Sequence, residues 1–173
     1  ATIMGIFGSI FSFGGATVAS YLPASTLSTI FGIVVLIGAL KTYVTPAETE
    51  KDEINSSPVP YIFAGISIGF FSGLLGIGGG IIGIPIMLIF LHFDMRKAIG
   101  TSAAVIIFTS LGGSTGYIIH GWGQPGLPPY SLGYINLLNW LLLAVPGFLA
   151  IRKGVEIAHL INLEHLKHLL IIL

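Results

Sequence analysis

The sequence predicts an all-α integral membrane protein, a multi-helix bundle in which one glycine-rich segment breaks a helix into a hairpin. Of the 173 residues, 54% are hydrophobic and only 8% are charged, and the mean hydropathy is +0.95. Soluble domains carry about 25% charged residues, so this chain cannot cover its whole surface with polar groups. Long apolar runs separated by short polar or turn-rich stretches are typical of successive membrane spans.

Charge and cysteine content exclude several classes of function. The seven basic and seven acidic residues give no net charge, so neither nucleic-acid binding nor a polybasic lipid-binding patch is indicated. The chain has no cysteine, which excludes disulfides and thiolate metal sites. No nucleophile–base pair or dense carboxylate cluster is present, so the sequence predicts neither an enzyme nor a bound metal or cofactor.

The first 60 residues predict two spans and a linker. Residues 2–22 are rich in glycine, serine and alanine and are long enough to cross about 30 Å of hydrocarbon. Such small residues let membrane helices pack closely. Pro23 separates this run from a second one, residues 24–44. Residues 45–60 hold five charges and three prolines, so they predict an aqueous linker between two membrane lobes.

Residues 61–93 carry the prediction of a broken helix. A straight helix of this length would be roughly 50 Å long, which exceeds the bilayer thickness even with tilt. Residues 73–85, which we call the glycine-rich segment, contain six glycines and a proline. In a helix interior glycine costs roughly 1 kcal/mol relative to alanine and proline about 3. Irregular backbone at membrane depth is tolerated where it lines a cavity, so we interpret this segment as a substrate site.

The remaining residues predict two more spans. Residues 98–120 form an apolar run that contains a cluster of hydroxyl side chains, and residues 134–151 form another. Between them lies an uncharged, turn-rich loop, residues 121–133.

The positions of the basic residues favour a hairpin over a single crossing of residues 61–93. A broken hairpin places six basic residues on one side of the membrane, whereas a single crossing divides them. These residues are Lys41, Lys51, Arg96, Lys97, Arg152 and Lys153.

A weak internal repeat relates residues 15–33 to residues 154–172. The hairpin gives the two copies opposite orientations, as in inverted-repeat transporters. The chain would then hold the tail of a first repeat in residues 1–44 and a second repeat in residues 61–173. Because the chain begins at Ala1 with no charged region before its first apolar run, we expect an N-terminally incomplete chain rather than a signal peptide. The glycine-rich segment of the first repeat would precede Ala1.

The glycine-rich segment provides the first candidate substrate ligands. A half-helix that begins near Ile81 would direct its unpaired N–H groups and a partial positive charge at the membrane interior, which favours an anion. The alternative is that the glycines serve only close helix packing, since Gly-x-x-x-Gly spacings occur twice. The candidate ligands in this segment are Gly78, Gly79, Gly80 and Pro85.

Two further sets of polar residues are candidates. Thr101 and Ser102 would lie about one turn inside a span, where they either line the same pocket or bond to carbonyls of their own helix. Ser114 and Tyr117 follow near the other end of that span. His120 would suit proton coupling if it faced a cavity, because histidine changes charge near physiological pH; the alternative is a wetted interfacial residue.

The segments GLLGIGGG (residues 73–80) and RKAIGTS (residues 96–102), with Pro85 between them, resemble the sulfite exporter TauE/SafE family of membrane permeases. The resemblance extends over nearly the whole chain, although family members are usually longer and carry the glycine-rich segment twice. It implies a multi-pass plasma-membrane protein that moves, most simply by export, a small sulfur-containing anion such as sulfite or an organosulfonate.

Alternating access of one repeat against the other is the mechanism that the resemblance implies. The partners would be the anion, the lipid bilayer and, in a homodimer, a second copy. Two alternatives stay open at this point: a non-transporting membrane subunit, whose glycines serve helix packing, and an anion channel.

Overall fold

The computed structural model describes residues 1–44 and 57–160. This part of the chain contains six α-helices and one short antiparallel ladder. In chain order the elements are α1 (Thr2–Tyr21), α2 (Ala24–Val44), α3 (Val59–Leu75), α4 (Gly80–Phe90), α5 (Met95–Gly121), β1 (Ser131–Leu132), β2 (Ile135–Asn136) and α6 (Leu137–Leu160).

Each apolar run predicted in residues 1–44 and 61–151 is helical in the structure. Two helices, Thr2–Tyr21 and Arg96–Gly121, are long and apolar enough to cross a membrane by themselves. Most of the predicted linker and of the second repeat copy, residues 45–56 and 161–173, lies outside the described residues. The division into two repeats therefore stays a prediction.

The centre of the bundle is formed by α1 and α3, which run in the same direction. Three glycines of α3 lie at this contact, and a side chain at any of them would overlap the backbone of α1. The contacts advance by four residues in both helices, which is the register of parallel neighbours. The facing pairs are Gly65 with Met4, Gly69 with Gly8, and Gly73 with Ser12; we call them the α1–α3 glycine ladder.

A second side of α1 packs on α5 in the same way. Phe108 covers Gly5, Gly112 meets the backbone at Ser9, and Gly116 lies against Phe13. These contacts again advance together along both helices, so α1, α3 and α5 are all parallel. The small residues that the sequence placed in α1 therefore serve two helix contacts at once.

The chain of α3 and α4 forms the predicted hairpin. The rings of Tyr61 and Phe93 have centroids 6.3 Å apart, so the segment ends beside the place where it begins. The turn between the helices contains three glycines at positive φ, Gly76 (70°), Gly78 (70°) and Gly79 (82°). Residues with a side chain rarely adopt this conformation, which explains why glycine is required at the turn.

The tip of the hairpin lies near the middle of α5. The Thr109 hydroxyl is 3.1 Å from the carbonyl oxygen of Gly78. Thr109 comes about 21 Å after the start of α5, which is about 40 Å long at 1.5 Å per residue. Because α5 starts at the open end of the hairpin, where Phe93 lies, the tip of the hairpin lies about halfway along this helix, which is long enough to cross a membrane.

The remaining elements surround this centre. α2 packs on α4, where Gly38 faces Pro85. In the described residues the only departure from an all-helical fold is the two-residue ladder β1–β2, which pairs the end of the predicted loop with residues 135–136 at the start of the last predicted span. α6 begins at Leu137 rather than at residue 134, because the Asn136 side chain accepts a hydrogen bond from the Asn139 N–H at 2.9 Å and so caps the helix.

Candidate functional site

A cavity of about 100 Å³ lies at the tip of the hairpin. It has room for several water molecules, or for one small ligand in their place. None of the residues that line it is charged. The lining consists of six hydroxyl side chains and three glycines: Ser12, Ser72, Thr109, Ser110, Ser114, Tyr117, Gly76, Gly78 and Gly113.

The cavity is built by three helices and the turn. Ser12 comes from α1 and Ser72 from the last full turn of α3, and both side chains are buried. The contributions of α5 lie in a stripe of residues spaced four apart, which places them on one helix face. On this stripe Ser110 and Ser114 are exposed, so the cavity is open on their side within the described part of the chain.

Two hydrogen bonds from α5 hold the turn in place. The Tyr117 hydroxyl donates to the carbonyl oxygen of Gly73 at 2.7 Å, and the Thr109 hydroxyl reaches that of Gly78 at 3.1 Å. A third bond fixes α1 to the same place, since the Ser12 hydroxyl donates to the Thr109 carbonyl oxygen at 2.7 Å. The irregular backbone is thus tied to both long neighbouring helices.

The turn brings two helix ends together. α3 is closed by Gly76, whose N–H donates to the Ser72 carbonyl oxygen at 2.9 Å. α4 starts at Gly80, close to the predicted start near Ile81, and the Gly83 N–H makes its first bond, to the Gly79 carbonyl oxygen at 2.7 Å. The N–H groups before Gly83 have no partner within the helix and give its start a partial positive charge.

Three of the sequence-predicted ligands line the cavity, namely Gly78, Ser114 and Tyr117. Gly79 and Gly80 belong to the same turn but face elsewhere. A side chain at Gly79 would meet Ile68 and Ser72, and one at Gly80 would meet Ile106.

Pro85 also lies away from the cavity. It is buried in the sixth position of α4, next to Gly38 of α2. Its predicted part in the break of the helix is not seen, because the break falls at the glycines before it and α4 continues through Pro85.

Thr101 and Ser102 are not brought into the cavity either. They precede Thr109 on α5 by about two helical turns, on the side of the open end of the hairpin. The Ser102 hydroxyl is buried and donates to the Ile99 carbonyl oxygen at 3.1 Å. For Ser102 the geometry therefore agrees with the second interpretation, a hydroxyl that bonds to its own helix.

His120 lies near the end of α5, outside the residues that line the cavity. Its Nδ1 is 2.9 Å from the Gly116 carbonyl oxygen, which assigns the proton to Nδ1. The ring is half-buried between two aromatic rings, Phe13 at 6.1 Å and Tyr21 at 6.4 Å between centroids. His120 does not line this cavity, and its part in proton coupling stays a prediction.

Besides Gly76 and Gly113, four hydroxyl-bearing lining residues were absent from the predicted ligands: Ser12, Ser72, Thr109 and Ser110. A periodic signal was available for the last two, because residues 109, 113 and 117, and residues 110 and 114, repeat at the spacing of one helix face. No comparable signal marks Ser12, which lies in a run of small residues and faces the cavity only because α1 packs between α3 and α5.

Parallel membrane-length helices, a hairpin that stops halfway along them, and a polar cavity at its tip define a class of integral membrane protein with irregular backbone buried at membrane depth. The chain belongs to the sulfite exporter TauE/SafE family, whose family model matches residues 1–173. The resemblance drawn from residues 73–102 is thereby confirmed.

Several relatives carry the name probable membrane transporter protein. One from Methanocaldococcus jannaschii is 30% identical over 96% of this chain and 61% of its own length. Another from Haemophilus influenzae is 32% identical over 68% of this chain and 46% of its own. YdhB of Bacillus subtilis is 32% identical over 69% of this chain and 51% of its own. The chain thus spans about half to three fifths of the length of these relatives. No solved structure matches the chain significantly.

Proposed function

We propose that the protein is a multi-pass membrane permease for a small sulfur-containing anion, such as sulfite or an organosulfonate, and that the anion binds in the cavity at the hairpin tip. The observation that carries this proposal is the polar cavity, built from irregular backbone and hydroxyl groups near the middle of a membrane-spanning helix. Family membership and the names of the relatives support transport. The family and its relatives are named as transporters rather than as enzymes.

The chemistry of the cavity suits a small anion. The start of α4 belongs to the same turn, and its partial positive charge favours an anion nearby without a basic side chain. Glycine at Gly76 and Gly78 leaves the backbone of the turn accessible to a ligand. A volume of about 100 Å³ excludes large metabolites, whose pockets are typically about 300–1,000 Å³.

The depth of the site suits alternating access. A broken helix whose tip lies halfway across the membrane resembles the discontinuous helices that hold substrates in secondary transporters. The cavity is open where Ser110 and Ser114 are exposed. We place the protein in the plasma membrane, with net transport directed outward.

Flux measurements on the protein in proteoliposomes test this proposal. Labelled sulfite, methanesulfonate and sulfate would be offered, and we expect saturable uptake of at least one of the first two. Ser114 lies at the exposed opening of the cavity. Ser114→Leu should lower that uptake by about tenfold or more, because the leucine side chain fills the site and the anion loses a hydrogen-bond donor. Thr115→Leu is the matched control, since Thr115 is also exposed but does not line the cavity.

The alternative of a non-transporting membrane subunit is favoured by one observation, the α1–α3 glycine ladder, in which Gly65, Gly69 and Gly73 serve helix packing. It does not account for Gly76 and Gly78, whose missing side chains leave the turn facing a cavity. Uptake no faster than in protein-free liposomes for all three anions would contradict the transport proposal and favour this alternative.

A further inference from the structure

Some of the hydroxyl groups that line the cavity already donate their proton in a hydrogen bond within the protein, and others do not. A hydroxyl carries one proton to donate and two lone pairs to accept with. Four of the six donate to backbone carbonyl oxygens: Ser12 to Thr109 at 2.7 Å, Thr109 to Gly78 at 3.1 Å, Ser110 to Ile106 at 2.7 Å, and Tyr117 to Gly73 at 2.7 Å. These four groups present only lone pairs to a ligand.

Ser72 and Ser114 are the other two, and neither hydroxyl has a hydrogen-bond partner among the residues that the structure describes. For Ser114 this is ordinary, because it is exposed. Ser72 is only 3% exposed. Buried polar groups are almost always hydrogen-bonded, so a buried hydroxyl that lines a polar cavity without a partner indicates a bound ligand or ordered water there.

We propose that the Ser72 hydroxyl donates directly to the transported anion, and that the cavity selects singly charged over doubly charged anions. This inference rests on the function proposed above. Ser72 lies in the last turn of α3, beside the glycine turn, so a ligand that accepts its proton also lies next to the backbone of Gly76.

The selectivity follows from the balance of donors and acceptors. Four of the hydroxyl groups present only oxygen lone pairs to the cavity, and none of the lining residues is cationic. The cavity therefore offsets little of the free energy that a dianion loses when it leaves water. A sulfonate or hydrogensulfite carries one charge, and the proton of hydrogensulfite has acceptors in the same four oxygens. Ser72, Ser114 and the backbone N–H groups remain as donors to the single negative charge.

Two alanine variants separate this role from the general effect of removing a hydroxyl. Ser72→Ala should raise the KM for methanesulfonate uptake by about tenfold or more, the value of a hydrogen bond to a charged group. Thr115→Ala removes a hydroxyl that lies outside the cavity and already donates to Leu111 of its own helix at 2.8 Å, and we expect a change of no more than about twofold. Equal effects of the two variants would overturn the proposal.

A labelling experiment gives a readout that needs no transport. Because the chain has no cysteine, Ser72→Cys introduces a single thiol of nearly the same size. We expect a water-soluble maleimide to label it, and methanesulfonate to slow the labelling more than equimolar sulfate does. Equal protection by both anions, or none by methanesulfonate, would overturn the proposal. Protection without any flux would instead contradict the transport function and leave the role of Ser72 supported.

Discussion

At the scale of single residues, Thr109 connects the fold to the site. Its hydroxyl has one proton and three acceptors within reach, the carbonyl oxygens of Gly78 at 3.1 Å, Val105 at 3.2 Å and Ile106 at 3.2 Å. Only the first of these ties the hairpin tip to α5. When the hydroxyl donates to a carbonyl of its own helix instead, the hydrogen bond to Gly78 is lost. Thr109 is therefore a positioning residue, which acts on the site by holding the glycine turn in place.

Thr109→Val tests this role, because valine keeps the shape of threonine and removes the hydroxyl. We expect amide hydrogen exchange in residues 76–80 to accelerate by about fivefold, corresponding to about 1 kcal/mol for one lost hydrogen bond. Thr115→Val is the control, since the Thr115 hydroxyl bonds only to Leu111 of its own helix, at 2.8 Å. Unchanged exchange in the first variant would show that the tip is held without Thr109.

At the scale of elements, the parallel packing of α1 on α3 depends on the absence of side chains. A methyl group at Gly69 would overlap the backbone of Gly8, and neither helix can relieve this overlap by a change of rotamer. The same contact places Ser12 in the cavity, because Ser12 follows Gly8 by one turn on the same face of α1. The position of Ser12 in the cavity therefore depends on the close helix contact at the α1–α3 glycine ladder.

Gly69→Ala should destabilise the protein by about 1–3 kcal/mol, the usual cost of overpacking, and lower the melting temperature in detergent. Gly14→Ala is the matched control in α1, since a side chain there would meet nothing within 4 Å. That variant should be neutral or stabilising by up to about 1 kcal/mol, because alanine is the better helix former. A melting temperature for Gly69→Ala at or above that of Gly14→Ala would contradict this view of the contact.

The elements also show what could be predicted from the sequence. Run length and glycine density were enough to place the broken hairpin and the start of α4. The depth of its tip was predictable as well. About 15 residues lead from Tyr61 to Gly76 and 14 from Met95 to Thr109, so the tip had to lie level with Thr109 and not with Thr101. The rotation of α1 was not predictable, because packing against two other helices fixes it and α1 has small residues on several faces.

At the scale of the whole molecule, the hairpin determines which segments share a side of the membrane. α3 begins and α4 ends at the same end of the bundle, and α5 then runs away from that end to the loop that contains Gln124. We therefore expect a cysteine at position 96 to be labelled from one face and a cysteine at position 124 from the other.

The linker adds a third position to this test. Because position 51 precedes the start of α3, a cysteine there should be labelled from the same face as one at position 96. Impermeant maleimides applied to intact and inverted vesicles measure this. Labelling of positions 51 and 96 from opposite faces would rule out the hairpin topology.

The halfway position of the tip has an electrical consequence. An anion that reaches the cavity from either face would cross about half of the membrane, and therefore about half of the membrane potential. A full crossing is worth about 2.3 kcal/mol per charge at 100 mV, so occupancy of the site would change by about 1.2 kcal/mol, or about sevenfold. The hairpin that stops short of the far side would thus make binding, and not only net flux, sensitive to voltage.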